Sequence, residues 1–222
     1  MHNLFVRPAV LLLFLIMHLG GYAQQQPIKP ANPPIFASVK IGDQEWMAEN
    51  LNVDRFRNGD IIPQAKNKAA WLKAVKKQTP AWCYYEFDAQ NGKQYGKLYN
   101  QYAVTDGRGL APIGWHIPSA GEWDVLSKTL GGEETAGAKL KSKTGWNVVS
   151  GTDETGYTAL PAGYCNEKGS SPNRGKMTAF WSHEEGIDVI FGLSYHLSDE
   201  DGKLVQVNQW KEDGLSVRCI KD

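Results

Sequence analysis

Turn-forming residues recur along this chain at short intervals and leave only short apolar runs between them. The 222 residues include 23 glycines and 11 prolines. Glycine favours the positive-φ conformations of tight turns, and proline interrupts helices and central strands. No repeat of about 20 to 50 residues is present, which excludes solenoids and propellers. The pattern predicts one compact domain of short strands, tight turns and a few helices.

Two early segments carry helix-start signals. Asn67 is a suitable N-cap for a helix over 68–77. Ser119 and Glu122 have the spacing of a capping box, in which each side chain bonds the backbone N–H of the other residue. A shorter helix is expected around 136–140.

Runs rich in aromatic and β-branched residues predict short strands between these helices and after them. A first hairpin is expected from 36–41 and 44–47, and Asn91-Gly92 is expected to form a tight turn after a strand at 81–87. Segment 95–104 fits a helix or a bent strand equally well. Further strands are expected later in the chain, at 157–160, 179–183, 189–197, 204–207 and 215–220. The helices and strands together predict an α+β fold with irregular antiparallel sheets.

The N-terminal segment has the composition of a cleaved export signal. Arg7 precedes a short apolar run, and Gly21 and Ala23 supply the small residues that signal peptidase requires. The run is shorter than the roughly 20 apolar residues that span a bilayer, although a membrane anchor is the alternative. We expect export to the cell surface, the periplasm or the medium, with a signal peptide at 1–23, a proline-rich linker at 24–37 and a domain at 38–222.

Charge and composition exclude two broad classes of protein. The 24 basic and 24 acidic residues balance, which disfavours a nucleic-acid-binding protein that relies on bulk positive charge. At 41% hydrophobic and 11% aromatic residues, the chain is also too apolar for a disordered protein.

The chain has three cysteines, all within the expected domain. Cys83 and Cys219 lie in strand-like runs, and in an oxidising compartment they are the natural disulfide pair. Cys165 follows in a polar loop and is expected to be the free thiol. Two buried reduced thiols are the alternative for Cys83 and Cys219.

Motifs for catalysis or metal binding are missing from the sequence. It contains no H-E-x-x-H, G-x-S-x-G, Walker or dinucleotide-binding pattern. No cofactor is therefore expected, except that a calcium ion is conceivable at Asp199 and Asp201, with Asp153 and Glu154 in the same half of the chain. Solvated turns are the alternative for these carboxylates.

Large aromatic residues are the remaining candidates for a binding surface. Flat aromatic faces pack against the C–H face of sugars, and they also anchor protein partners. Trp181, Tyr195 and Trp210 are selected as ligand-binding residues, with core packing as the alternative. The other tryptophans are expected to pack in the core.

Ten motifs, in order, resemble the Fibrobacter succinogenes major paralogous domain family, which is known mainly as exported domains of Bacteroidetes-like bacteria without an assigned reaction. More distantly, 115–123 and 214–218 resemble the fold shared by C-type lectin-like domains and formylglycine-generating enzymes. The paired catalytic cysteines of those enzymes and the sugar-calcium motifs of lectins are missing, so neither activity is implied. The ten family-like motifs are 39–53, 81–85, 95–100, 114–119, 122–123, 130–132, 139–142, 145–146, 159–164 and 215–219.

These observations predict an exported, non-catalytic binding or adhesion module whose partner is a polysaccharide or a cell-surface protein. An enzyme on a formylglycine-generating-enzyme-like fold and a structural subunit of an envelope assembly are the alternatives.

Overall fold

The computed structural model of the protein describes residues 36–222, so the expected signal peptide and residues 24–35 of the expected linker lie outside it. The described residues form an α+β fold, as predicted, although with five α-helices rather than the three expected. The strands are β1 (Ser38–Ile41), β2 (Gln44–Met47), β3 (Trp82–Cys83), β4 (Leu98–Tyr99), β5 (Trp115–His116), β6 (Met177–Glu185), β7 (Phe191–Ser198), β8 (Val205–Trp210) and β9 (Ile220–Lys221). The helices are α1 (Lys68–Lys77), α2 (Ala89–Tyr95), α3 (Gln101–Val104), α4 (Ala120–Thr129) and α5 (Glu133–Leu140).

The sheets bring the two ends of the described chain together. The predicted hairpin β1–β2 forms around Gly42, whose φ of 60° suits glycine. The last strand, β9, pairs antiparallel with both β2 and β5 and completes a four-stranded sheet in the order β1-β2-β9-β5. A second sheet has three antiparallel strands in the order β6-β7-β8, and β3 and β4 form a separate pair.

The predicted helix starts are confirmed at both positions. The Asn67 side chain accepts a hydrogen bond from the Ala70 backbone N–H at 2.9 Å, and α1 covers the predicted residues. The Ser119–Glu122 capping box forms with both of its reciprocal bonds at the start of α4. These signals depend on contacts within one helical turn, and local sequence is therefore sufficient to predict them.

The strand expected at 81–87 is confirmed only for Trp82–Cys83, and the turn expected at Asn91-Gly92 is wrong. After β3 the chain turns through Glu86 and Phe87, which both have positive φ, and Asn91 and Gly92 lie inside α2. A Cβ atom on Gly92 would lie 2.0 Å from a ring carbon of Tyr84. Glycine is required here because an aromatic ring packs directly on the helix backbone, which the sequence pattern does not reveal.

The core consists of three clusters of buried side chains. One surrounds Trp181 and Leu215, and a second surrounds Trp46, Trp123 and Tyr195. The third is smaller, lies beneath α1, and contains Trp71 and two cysteines among its seven members. Most tryptophans of the family-like motifs are in these clusters, as predicted from the sequence.

Candidate functional site

Two of the three aromatic residues selected as ligand contacts are part of the core. Trp181 is 0% exposed, and its indole N–H donates a 2.7 Å hydrogen bond to the Tyr99 carbonyl. Tyr195 is 3% exposed, and its ring stacks on Trp123 with the ring centroids 4.7 Å apart. The expected shared aromatic surface is therefore wrong for these residues, because side chains in the middle of the three-stranded sheet are covered by other elements.

Trp210, the third of these residues, lies at an exposed end of the same sheet. It is 45% exposed, and its ring contacts Phe191 with a centroid distance of 4.6 Å. The loop between β6 and β7 adds Ile187, Val189 and Ile190, which are 83%, 72% and 42% exposed. We call these five residues the sheet tip. Exposed large apolar side chains in one cluster are unusual on a protein surface and are typical of binding sites.

Charged groups surround the sheet tip. The Lys211 ammonium pairs with the Glu185 carboxylate at 2.5 Å. Asp188 accepts a hydrogen bond from the Val189 backbone N–H, which supports the turn of the loop. The tip thus combines an apolar centre with a polar rim, the arrangement found in many protein interfaces.

A polar groove crosses the surface beside the segment Glu49–Asn52. It has two adjoining parts of about 470 and 400 Å³ that share Glu49, Asn50 and Asn52 as lining residues. At its base the buried Arg218 guanidinium donates to the Asn50 side chain at 2.7 Å and to the Met47 and Tyr157 carbonyls at 3.0 and 2.6 Å. These bonds hold the groove segment against the core and satisfy most of the guanidinium's donors.

The carboxylates considered for calcium are located near a buried lysine. Lys141 is 0% exposed and its ammonium donates to the carbonyls of Val149, Ser198 and Asp201 at 2.9, 2.8 and 2.7 Å. Burial lowers the pKa of Lys141, against the opposing effect of Asp201 and then Asp199. This ammonium already supplies a positive charge to the loop. Within residues 36–222, no group of three or more His, Cys, Asp or Glu side chains is arranged to hold a metal ion, and calcium binding stays a prediction.

No sequence motif indicates a further feature of the structure, a histidine held between two carboxylates. His116 Nε2 lies 2.7 Å from Glu122 and Nδ1 lies 2.8 Å from Asp222. Burial lowers the pKa of His116, but the hydrogen bonds to Glu122 and Asp222 outweigh it, and the pKa is raised overall. The His116 imidazole thus links Glu122 of α4 to Asp222, and with both ring nitrogens bonded to carboxylates it is poorly suited to act as a general base.

The structure does not contain the expected Cys83–Cys219 disulfide. All three thiols are free and buried, including Cys165, which was expected in a polar loop. Cys219 belongs to the cluster around Trp181, whereas Cys83 and Cys165 both belong to the small cluster beneath α1. Sequence separation carries no information about which cluster a cysteine joins.

Comparisons with known proteins identify a family and little beyond it. No helix among the described residues is long and apolar enough to cross a membrane. No curated protein and no solved structure matches this chain. The family model of the Fibrobacter succinogenes major domain, however, matches residues 39–221. This match spans all five helices and all of the strands except Ser38, and the chain belongs to the Fibrobacter succinogenes major domain family.

Proposed function

We propose that this protein is an exported, non-catalytic binding or adhesion module with a C-type lectin-like fold, and that it binds a protein partner through the sheet tip. The observation that carries the proposal is the cluster of exposed apolar side chains around Trp210, on a domain whose other large aromatic rings mostly pack in the core. Burying such side chains against a partner is favourable by roughly 25 cal/mol per Å² of apolar surface.

The composition of the tip favours a protein over a polysaccharide. Ile187 and Val189 are the most exposed members, and their branched aliphatic side chains offer no flat face for a sugar ring. Such side chains fit an apolar pocket on a protein, and Trp210 is the residue type that most often dominates the energy of such an interface. The pair Lys211–Glu185 lies at the rim, where charges contribute specificity more than affinity.

A polysaccharide ligand is the second candidate, and the polar groove is the binding site proposed for it. Glu49, Asn52 and Gln94 are exposed polar side chains on the groove, and Tyr95 adds a partly exposed ring. This combination can hydrogen-bond to hydroxyl groups and stack on a sugar face. The two candidates use different surfaces, so one set of variants separates them.

The test is a pull-down from envelope extracts of the native host, run in parallel with a glycan array. Trp210→Ala is expected to weaken capture of one protein partner by about 10- to 100-fold, in the range of about 1 to 3 kcal/mol for a central interface residue. Ile113→Ser is the control, because Ile113 is 71% exposed and does not belong to the sheet tip.

Equal capture by the Trp210 variant and the control would contradict the proposal. Glycan binding that is lost in Asn52→Ala and kept in Trp210→Ala would instead support the polysaccharide alternative. Catalytic turnover of a substrate by the purified protein would refute the binding class itself.

A further inference from the structure

Two cysteines that are 82 positions apart in the chain are neighbours in the small cluster beneath α1. Cys83 lies on β3, opposite Leu98 of β4. Cys165 pairs with Gly214 through two backbone hydrogen bonds of 2.9 and 2.7 Å, and the residue after Gly214 pairs with Tyr99 of β4. These pairings connect the segments of both cysteines to β4, and both side chains belong to the same cluster.

Both cysteines are also completely buried. Each is 0% exposed within a cluster of seven residues, and the Cys165 thiol adds to the effect of burial in raising the pKa of the Cys83 thiol. A disulfide requires its two Cβ atoms to lie about 4 Å apart, and two thiols inside one such small cluster are favourably located to reach that arrangement. Cys219 lies in the cluster around Trp181, which contains neither of the other two cysteines.

We propose that Cys83 and Cys165 form a disulfide when this protein folds under oxidising conditions, and that Cys219 stays a free thiol. The inference concerns a covalent modification of the chain and does not depend on the proposed binding function. The proposed pair differs from the Cys83–Cys219 pair that the sequence alone favours.

The reaction is a thiol–disulfide exchange with a small disulfide such as oxidised glutathione. One cysteine thiolate attacks a glutathione sulfur, forms a mixed disulfide and releases one glutathione thiolate. The second cysteine thiolate then attacks the mixed disulfide, forms the Cys83–Cys165 bond and releases the second glutathione. Two protein thiols are thereby oxidised, one glutathione disulfide is reduced to two thiols, and the two protons leave with the products.

Burial determines when the exchange takes place. Burial raises the pKa of the Cys83 thiol well above its ordinary value, and the neighbouring Cys165 adds to this effect. The reactive thiolate is therefore scarce in the folded protein, and a glutathione molecule has no access to it. We expect the bond to form during folding and to resist reduction afterwards.

The experiment is to unfold and reduce the full chain, refold it with a mixture of reduced and oxidised glutathione, and alkylate free thiols under denaturing conditions. Peptide mapping is expected to find one linked pair, Cys83 with Cys165, and one alkylated cysteine, Cys219. Cys219→Ser is the matched control and should still form the linked pair. In Cys165→Ser, both Cys83 and Cys219 should stay free thiols.

The peptide map of the wild-type protein is sufficient to identify the linked pair. The result therefore stands even if one of the variants fails to fold. A linked peptide that joins Cys219 to either partner, or three alkylated thiols after oxidative refolding, would overturn the proposal. As a second measurement, the oxidised protein should melt several degrees above the reduced one, and this difference should be missing in Cys165→Ser.

Discussion

The two ends of the β6-β7-β8 sheet meet their surroundings in opposite ways. Where β7 leads into β8, the buried Lys141 ammonium binds the Ser198 and Asp201 carbonyls, and the Gly202 carbonyl accepts a hydrogen bond from α5. At the other end, the loop between β6 and β7 exposes Ile187 and Val189 to solvent. Both ends are hairpin connections of similar length, so the difference depends on whether another element covers the loop. A covered end contributes to stability, and an uncovered apolar end is available for binding.

The largest expected effect lies in the middle of this sheet. Trp181→Ala removes a fully buried indole and its hydrogen bond to the Tyr99 carbonyl. We expect the free energy of unfolding to fall by about 4 kcal/mol, the usual loss for a large cavity in a core. Urea denaturation followed by fluorescence measures this change. A loss below about 1 kcal/mol would contradict the assignment of Trp181 to the core.

The covered end should be the next most sensitive. Lys141→Met keeps most of the side-chain volume but removes the three ammonium hydrogen bonds, so that three part-buried carbonyls lose this partner. We expect a loss of about 3 kcal/mol, since each unsatisfied buried group costs about 1 to 3 kcal/mol. Lys143→Met is the matched control because Lys143 is exposed. Equal stability of the two variants would show that Lys141 does not hold this end closed.

Protonation should also affect the covered end. Burial lowers the pKa of His196, opposite Val205 in the sheet, to about 4. The unfolded chain, with an ordinary histidine pKa of 6.5, binds more protons than the folded protein between these values. Stability should therefore fall by at most about 1.4 kcal/mol for each pH unit as the pH drops from about 6.5 to about 4. His196→Gln should remove this dependence.

The carboxyl group of Asp213, near the exposed end, has the opposite effect on how stability depends on pH. Burial raises the pKa of Asp213 to about 7, and its neighbour Gln209 donates a hydrogen bond to it. At this carboxyl group the folded protein binds more protons than the unfolded chain does. The contribution of Asp213 to the stability of the protein is therefore lost as the pH rises from about 4 to about 7. The His196 effect is therefore best measured in an Asp213→Asn background, by urea unfolding across this range. An identical pH profile with and without His196→Gln would contradict the prediction.

The smallest effect on stability is expected at the sheet tip. Trp210→Ala removes a half-exposed ring whose aromatic contact is with Phe191. We expect the free energy of unfolding to change by less than about 1 kcal/mol, since large losses come mainly from buried positions. The same urea measurement checks this value. A loss as large as that of Trp181→Ala would mean that the tip is structural and would remove the basis for a binding role.

Sequence reasoning succeeded where the signal is local. The Asn67 cap and the Ser119–Glu122 box depend on atoms within one helical turn, and both helices begin at the predicted residues. It failed between β3 and β4, where the position of Gly92 depends on the Tyr84 ring, which packs on the helix. No pattern of residue types records such a close approach.

For the candidate site, the sequence selected residue types but could not assign them to the core or to the surface. Tryptophan occurs both in cores and on binding surfaces. Trp181 and Trp210 differ in whether other elements lie over the strand that carries them. The apolar residues beside Trp210 were missed because each is unremarkable alone. The short apolar run at 189–191, at the start of the strand expected over 189–197, is the signal they left.

The sequence by itself determined the family, the helix caps, the first hairpin and the α+β class, because these depend on ordered motifs and on contacts between near neighbours in the chain. Only the tertiary structure decided which tryptophan is exposed, which cysteines are neighbours and which loop the Lys141 ammonium closes. These features depend on contacts between segments far apart in the chain. Many arrangements of the same short strands satisfy the local rules, and packing of the whole domain selects one of them.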